Sequence, residues 1–138
     1  MTATYQQMIF VNLAVNDLDT SKKFFTELGF EINAQFSDEN TASVVISETI
    51  VAMVHTKARY AEFTKKAIVD AKQSSEVLIA LSAESREKVD ELVEKAFAAG
   101  GGPAGETQDH GFMYGRSFDD PDGHTWEVVW MDPAAVEG

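Results

Sequence analysis

One order of apolar and turn-forming segments occurs twice along the chain, and no other feature constrains the fold as much. Met8–Val15 (MIFVNLAV) has the β-branched and aromatic content of a strand, and Asp17 follows it as a helix N-cap. Leu18, Ser21, Phe25 and Leu28 then recur at helical spacing, and Gly29 stands where a helix can end in the left-handed conformation. Three strand-like segments follow, Phe30–Phe36, Thr41–Ser47 and Ile50–Thr56, separated by Asp38-Glu39-Asn40 and by Glu48-Thr49. From Glu76 the order begins again. Glu76–Ser82 (EVLIALS) reads as a strand, Ser85 as a cap, and Val89, Leu92, Val93, Ala96 and Phe97 as the apolar stripe of a helix that Gly100–Gly102 ends. Strands are expected around Pro103–Gln108, at Phe112–Phe118 and at Thr125–Met131, the last two joined by Pro121-Asp122-Gly123. An offset of about 68 residues superposes the two halves by element order, with little identity between them.

The expected fold is therefore α+β: two tandem βαβββ modules forming a curved mixed sheet around a cleft, with the helices on the outer face. One domain, 1–138, would hold module one at about 7–56, a linker at 57–74 and module two at about 75–132. In each module the helix covers one sheet face and leaves the other bare. On the first strand Val11, Leu13 and Val15 should meet the helix, because the alternate set Phe10, Asn12, Ala14 contains a polar residue.

Charge narrows the partners. Eleven Lys and Arg against 23 Asp and Glu give a net charge of −12, and no Lys or Arg follows Arg116, whereas Asp119, Asp120, Asp122, Glu127, Asp132 and Glu137 do. Nucleic acid is not an expected partner, since that affinity rests on neutralising phosphates. The acidic balance serves solubility, or attracts a cationic small molecule. With no cysteine, disulfides and thiolate chemistry are excluded. No apolar run approaches the roughly 20 residues that span a membrane, and the start of the chain lacks the basic flank and apolar core of a leader, so a cytoplasmic protein without membrane contact is expected.

Alternation singles out the candidate site residues. Along TWEVVWM, Trp126, Val128 and Trp130 form a bulky apolar face suited to a helix, which leaves Glu127 on the opposite, cleft-facing side. There it would act as a general base or orient a ligand's amine; the alternative is a carboxylate hydrogen-bonded to Asn12 or Tyr114. Tyr114 and Arg116 are expected to point to the cleft or its rim, because an arginine is costly against a helix unless paired. Arg116 would there fork onto a ligand carboxylate or pair with Glu127. Phe10, Met53, Leu78 and Ala80 would make the remaining lining apolar, as a hydrophobic ligand or a core requires. His55 shares the parity of Met53 and is read either as a cleft residue or as a strand-end histidine partly in solvent. His124 is expected to support its turn and His110 to be exposed. The run Gly100–Gly102 follows a helix and lacks the Lys-Ser/Thr pair, so it is no phosphate loop.

The segments Phe10–Leu18 (FVNLAVNDL), Phe24–Phe30 (FFTELGF), Leu78–Ser82 (LIALS) and Phe118–Trp130 (FDDPDGHTWEVVW) resemble the vicinal oxygen chelate superfamily, which holds glyoxalase I, extradiol dioxygenases and fosfomycin- and bleomycin-resistance proteins. The Asp120-Pro121-Asp122-Gly123 turn before a strand bearing Glu127 is the most recognisable part. In the metal-using members this resembles, two ligands come from the first strand of each module and two from the fourth. Those positions fall here on Phe10, Leu78, Met53 and Glu127. Three of the four offer no suitable donor, so no metal and no cofactor are expected. The resemblance also implies a homodimer in which modules of two chains complete each cleft. Three functions follow as expectations: a metal-independent protein binding a hydrophobic or cationic small molecule, a glyoxalase-related lyase or isomerase with Glu127 as general base, or a partner-binding module.

Overall fold

A computed structural model describes residues 5–136 of the chain; Glu137 lies outside the described residues. The chain forms two compact units, Met1–Ile68 and Val69–Gly138. The fold is α+β, with one mixed sheet in each unit.

In the first unit β1 (Ile9–Val15) leads into α1 (Leu18–Glu27), then β2 (Glu31–Ile32), β3 (Thr41–Val45) and β4 (Ile50–Thr56), in the spatial order β1-β4-β3-β2. The Asp17 carboxylate accepts from the Thr20 N–H at 3.1 Å and starts α1. Gly29, at φ 103°, ends it in a conformation that side chains resist. The helix buries Leu18, Ser21, Phe24 and Phe25, and Leu13, Val15, Ala42, Val44, Ala52 and Val54 are buried with them. The strand expected over Phe30–Phe36 is only two residues long. Asn33 caps a turn of 3-10 helix at Ala34–Phe36 by accepting from the Gln35 N–H, and this side-chain bond takes the backbone out of the sheet. After β4 a single helical turn, α2 (Lys57–Tyr60), is capped by Thr56.

The second unit repeats the order. β5 (Ile79–Ser82) precedes α3 (Arg86–Ala98), capped by Ser85 at 3.1 Å, and β6 (Gly102–Pro103), β7 (Gln108–Asp109), β8 (Met113–Asp119) and β9 (Thr125–Met131) follow. A final turn, α4 (Pro133–Val136), closes the described chain. The order is β5-β9-β8-β6, with β7 also on β8. The expected strand near Pro103–Gln108 is thus two separate two-residue strands. Val89, Val93 and Ala96 of α3 are buried, as are Leu81, Phe118, Trp126 and Val128. Among the described residues no helix is long and apolar enough to cross a membrane.

Candidate functional site

The register of the first sheet decides which side chains share its bare face. β1 and β4 run parallel with Phe10 opposite Val51, Asn12 opposite Met53 and Ala14 opposite His55. β3 runs antiparallel to β4 with Thr41 opposite His55 and Ser43 opposite Met53. Partners in register point to one side of a sheet. Phe10, Asn12, Met53 and His55 therefore lie on one face, turned away from α1. Phe10 is 55 % exposed there.

Towards Thr41 this face becomes polar. His55 is only 3 % exposed, which corrects the expectation of a ring partly in solvent. Its burial has two causes. Tyr60 and Phe63 bring their rings to 6.4 and 5.1 Å from the imidazole, and both ring nitrogens are bonded within the unit. His55 Nδ1 lies 2.8 Å from the Thr41 hydroxyl and Nε2 lies 2.8 Å from Asn12 Oδ1. Arg59 donates to the same Thr41 oxygen at 3.1 Å and pairs with Asp38 at 3.5 Å.

The direction of these bonds can be read from one end. The Phe10 carbonyl and Asn12 Oδ1 only accept, so the Asn12 nitrogen faces Phe10 and the His55 proton faces Oδ1. Nδ1 of a neutral ring accepts from the Thr41 hydroxyl, whose oxygen accepts from Arg59. His55 then carries its proton on Nε2 and donates to Asn12 Oδ1. The Asn12 amide nitrogen donates in turn to the Phe10 carbonyl at 3.3 Å. Burial lowers the pKa of His55, the Arg59 charge lowers it further, and Asp38 opposes the shift. Every link fits a neutral imidazole.

On the second sheet Ala80 and Ser117 flank Glu127 in register, so these three share the face opposite α3. Leu78, two residues before Ala80 and just outside β5, is 59 % exposed. Glu127 is half-buried. No hydrogen bond or ion pair reaches its carboxylate among the described residues.

Tyr114 and Arg116 are not on that face, and here the sequence expectation is overturned. β8 pairs with β9 so that Arg116 lies opposite Val128 and Tyr114 opposite Trp130, on the side that meets α3. Arg116 donates to Asp90 at 2.9 Å and to Glu94 at 2.7 Å, and the Tyr114 hydroxyl donates to Asp90 at 2.7 Å. Those two carboxylates stand one helical turn apart and compensate the guanidinium, so the cost that would have driven it away from the helix is met locally. The alternative Arg116–Glu127 pair does not form. The hydrogen bonds from Tyr114 and Arg116 hold the Asp90 carboxyl below its usual range.

His124 supports its turn. Asp120, buried, accepts from the backbone N–H groups of Asp122 and His124, from His124 Nδ1 and from Trp126 Nε1. Burial opposes a charged His124, but the bond to Asp120 and the charges of Asp120, Asp122 and Asp119 overcome it and raise its pKa. His110 is exposed.

Sequence reasoning passed over Thr41, Arg59, Tyr60 and Phe63. Thr41 was within reach: the short Glu48-Thr49 turn sets the β3–β4 register, which puts Thr41 opposite His55. Arg59 and the two rings gave no periodic signal, because they belong to one helical turn and the irregular chain after it.

The sequence model of the Glyoxalase/Bleomycin resistance protein/Dioxygenase superfamily matches residues 7–128. The chain belongs to this superfamily. A hypothetical protein from S. aureus shares 29 % identity over 93 % of this chain and 95 % of its own, with a TM-score of 0.76. A glyoxalase-related enzyme from Fulvimarina pelagi shares 22 % identity over 91 % of this chain and 88 % of its own, also at 0.76. A genomically encoded fosfomycin resistance protein from Listeria monocytogenes shares 21 % over 94 % and 92 %, at 0.63. No curated protein matches.

For this superfamily member the metal is a matter of donor chemistry. At the positions to which the resemblance assigns ligands stand an exposed phenylalanine, a half-buried methionine, an exposed leucine and one glutamate. Among the described residues no three His, Cys, Asp or Glu side chains gather as an ion would require. His55 has both nitrogens engaged. The residues present do not fit a catalytic divalent ion, which needs about three protein ligands.

Proposed function

We propose that this superfamily member is a small-molecule-binding protein that works without the usual catalytic metal and takes a hydrophobic or cationic ligand on its bare sheet faces. The observation that carries this reading is the chemistry of the four ligand-equivalent positions, where Phe10, Met53 and Leu78 supply apolar surface in place of donors. Apolar walls with few polar groups suit a hydrophobic ligand, and the net charge of −12 favours a cationic one. Metal analysis of the purified protein tests it. After dialysis against a chelator-free buffer we expect no stoichiometric metal; one equivalent of Ni, Zn, Mn or Fe per chain would overturn the reading.

A lyase or isomerase of the glyoxalase-related type is the second reading, supported by the half-buried and unpaired carboxylate of Glu127. A carboxylate so placed can take a proton from a bound substrate. Glu127→Gln separates the two: as a base its loss removes turnover while ligand affinity stays, whereas in a binding protein it weakens only cationic ligands.

Assembly as a homodimer belongs to the same proposal. Phe10 and Leu78 expose large apolar side chains, and covering each is worth about 2 kcal/mol. Sedimentation equilibrium at micromolar concentration should give a species of twice the chain mass. A single species near 15.1 kDa would refute the dimer.

A further inference from the structure

We propose that the bare face of the first unit recognises a ring-bearing ligand by an acceptor oxygen, a carbonyl or a carboxylate, held by the side-chain N–H of Asn12. This rests on the small-molecule reading above and, for this face, replaces its cationic alternative with an oxygen acceptor on a ring. The Phe10 carbonyl can only accept, which turns the Asn12 amide nitrogen towards it and Oδ1 towards His55 Nε2. Oδ1 can only accept, so the proton of the neutral, buried ring lies on Nε2, and Nδ1 accepts from the Thr41 hydroxyl, whose oxygen accepts from Arg59. The acceptor end of the Asn12 amide is thereby turned to His55 inside the sheet face, with one lone pair taken. Its nitrogen keeps one proton on the Phe10 carbonyl through a long 3.3 Å bond and has a second to offer. Asn12 itself is exposed.

The polarity of the face is thus set by the Phe10 carbonyl and His55. A cationic head placed beside Asn12 would meet a donor, and a carbonyl or carboxylate would meet its complement. The surroundings fit the rest of such a ligand. Phe10 and Phe63 are 55 % and 63 % exposed, and Met53 stands beside Asn12 in register, so a ring has aromatic and thioether partners. The charge of Arg59 is balanced by Asp38 at 3.5 Å and Glu62 at 3.8 Å, so a neutral carbonyl is accepted as well as a carboxylate.

The test uses the whole chain, labelled with 15N, and three probes: acetophenone, benzoate and benzylamine. Long-range 1H–15N correlation of the free protein should show His55 protonated on Nε2. A proton on Nδ1 would overturn the proposal without any ligand, because Asn12 would then be free to turn. In titrations, acetophenone or benzoate should move the Asn12 side-chain amide resonances and bind at least about tenfold more tightly than benzylamine, or about 1.4 kcal/mol. Comparison of the two oxygen probes separates a carbonyl from a carboxylate ligand. Asn12→Asp keeps the oxygen facing His55 and replaces the donor with an acceptor, so the order of the probes should reverse. Benzylamine binding as well as the others to the unaltered protein would refute the acceptor rule and leave the small-molecule reading standing. If no probe perturbs Phe10, Asn12, Met53 or His55, both fail.

Discussion

Asp120→Asn substitutes an amide for a carboxylate that serves four donors among the described residues. The asparagine oxygen can still take the Asp122 and His124 backbone N–H groups, which bond Oδ1 at 3.0 Å each. At the other end an NH2 group replaces the oxygen that accepts from Trp126 Nε1 at 3.1 Å and His124 Nδ1 at 2.9 Å. The indole N–H is buried, and losing this acceptor costs about 1–3 kcal/mol; with the charge-assisted bond to His124 reduced to a neutral one to Oδ1 at 3.1 Å, the expected total is about 2–4 kcal/mol. The cost should also depend on pH. The folded-state pKa of His124 is raised, so its contribution is complete below the unfolded value of about 6.5 and is lost as pH rises through the folded value. Urea unfolding followed by tryptophan fluorescence, for both proteins between pH 5.5 and 9, measures the difference. It should be largest at the acid end and narrow with rising pH. A difference below about 1 kcal/mol, or one flat across that range, would refute the account of this turn.

Gly123→Ala would place a Cβ 2.8 Å from the Lys72 nitrogen and 2.9 Å from the Ala71 carbonyl carbon at φ +93°, so the melting temperature should fall by the equivalent of more than about 1 kcal/mol. Arg116→Met removes two ion pairs to largely exposed acids and should cost about 1 kcal/mol or less in urea unfolding. It should leave probe affinity on the first unit unchanged; a tenfold loss there would return Arg116 to the ligand site. Thr41→Val deprives buried His55 Nδ1 of its donor and Arg59 of an acceptor, and a loss of about 1–3 kcal/mol should appear in denaturant titration.

Much of the positioning was legible because alternation and turn chemistry are local. The parity of FVNLAV put Phe10 and Asn12 away from the helix, and the Trp126-Val128-Trp130 stripe put Glu127 on the opposite face. The error over Tyr114 and Arg116 arose from treating their strand alone. Taken with the Asp120–Gly123 turn, the hairpin pairs Phe118 with Trp126, and every second residue back from Phe118, Arg116 and Tyr114 included, must then share the tryptophan face. The general cost of burying an arginine outweighed that register in the reading, although Asp90 and Glu94 were already visible at helical spacing on α3.

The sequence by itself determined the order of elements, the caps at Asp17 and Ser85, the two stripes that bury against the helices and the lack of metal donors at Phe10, Met53 and Leu78. These depend on neighbours within a few residues, or on atom types that no fold can change. Tertiary structure alone decided what His55 is. Its burial depends on rings from the turn after β4, and its proton position depends on an amide oxygen that the pairing of β1 with β4 brings against Nε2. Hydrogen-bond direction is a property of the whole connected chain of donors, and that chain joins residues from 12 to 59 that only folding brings within 3 Å or so of one another.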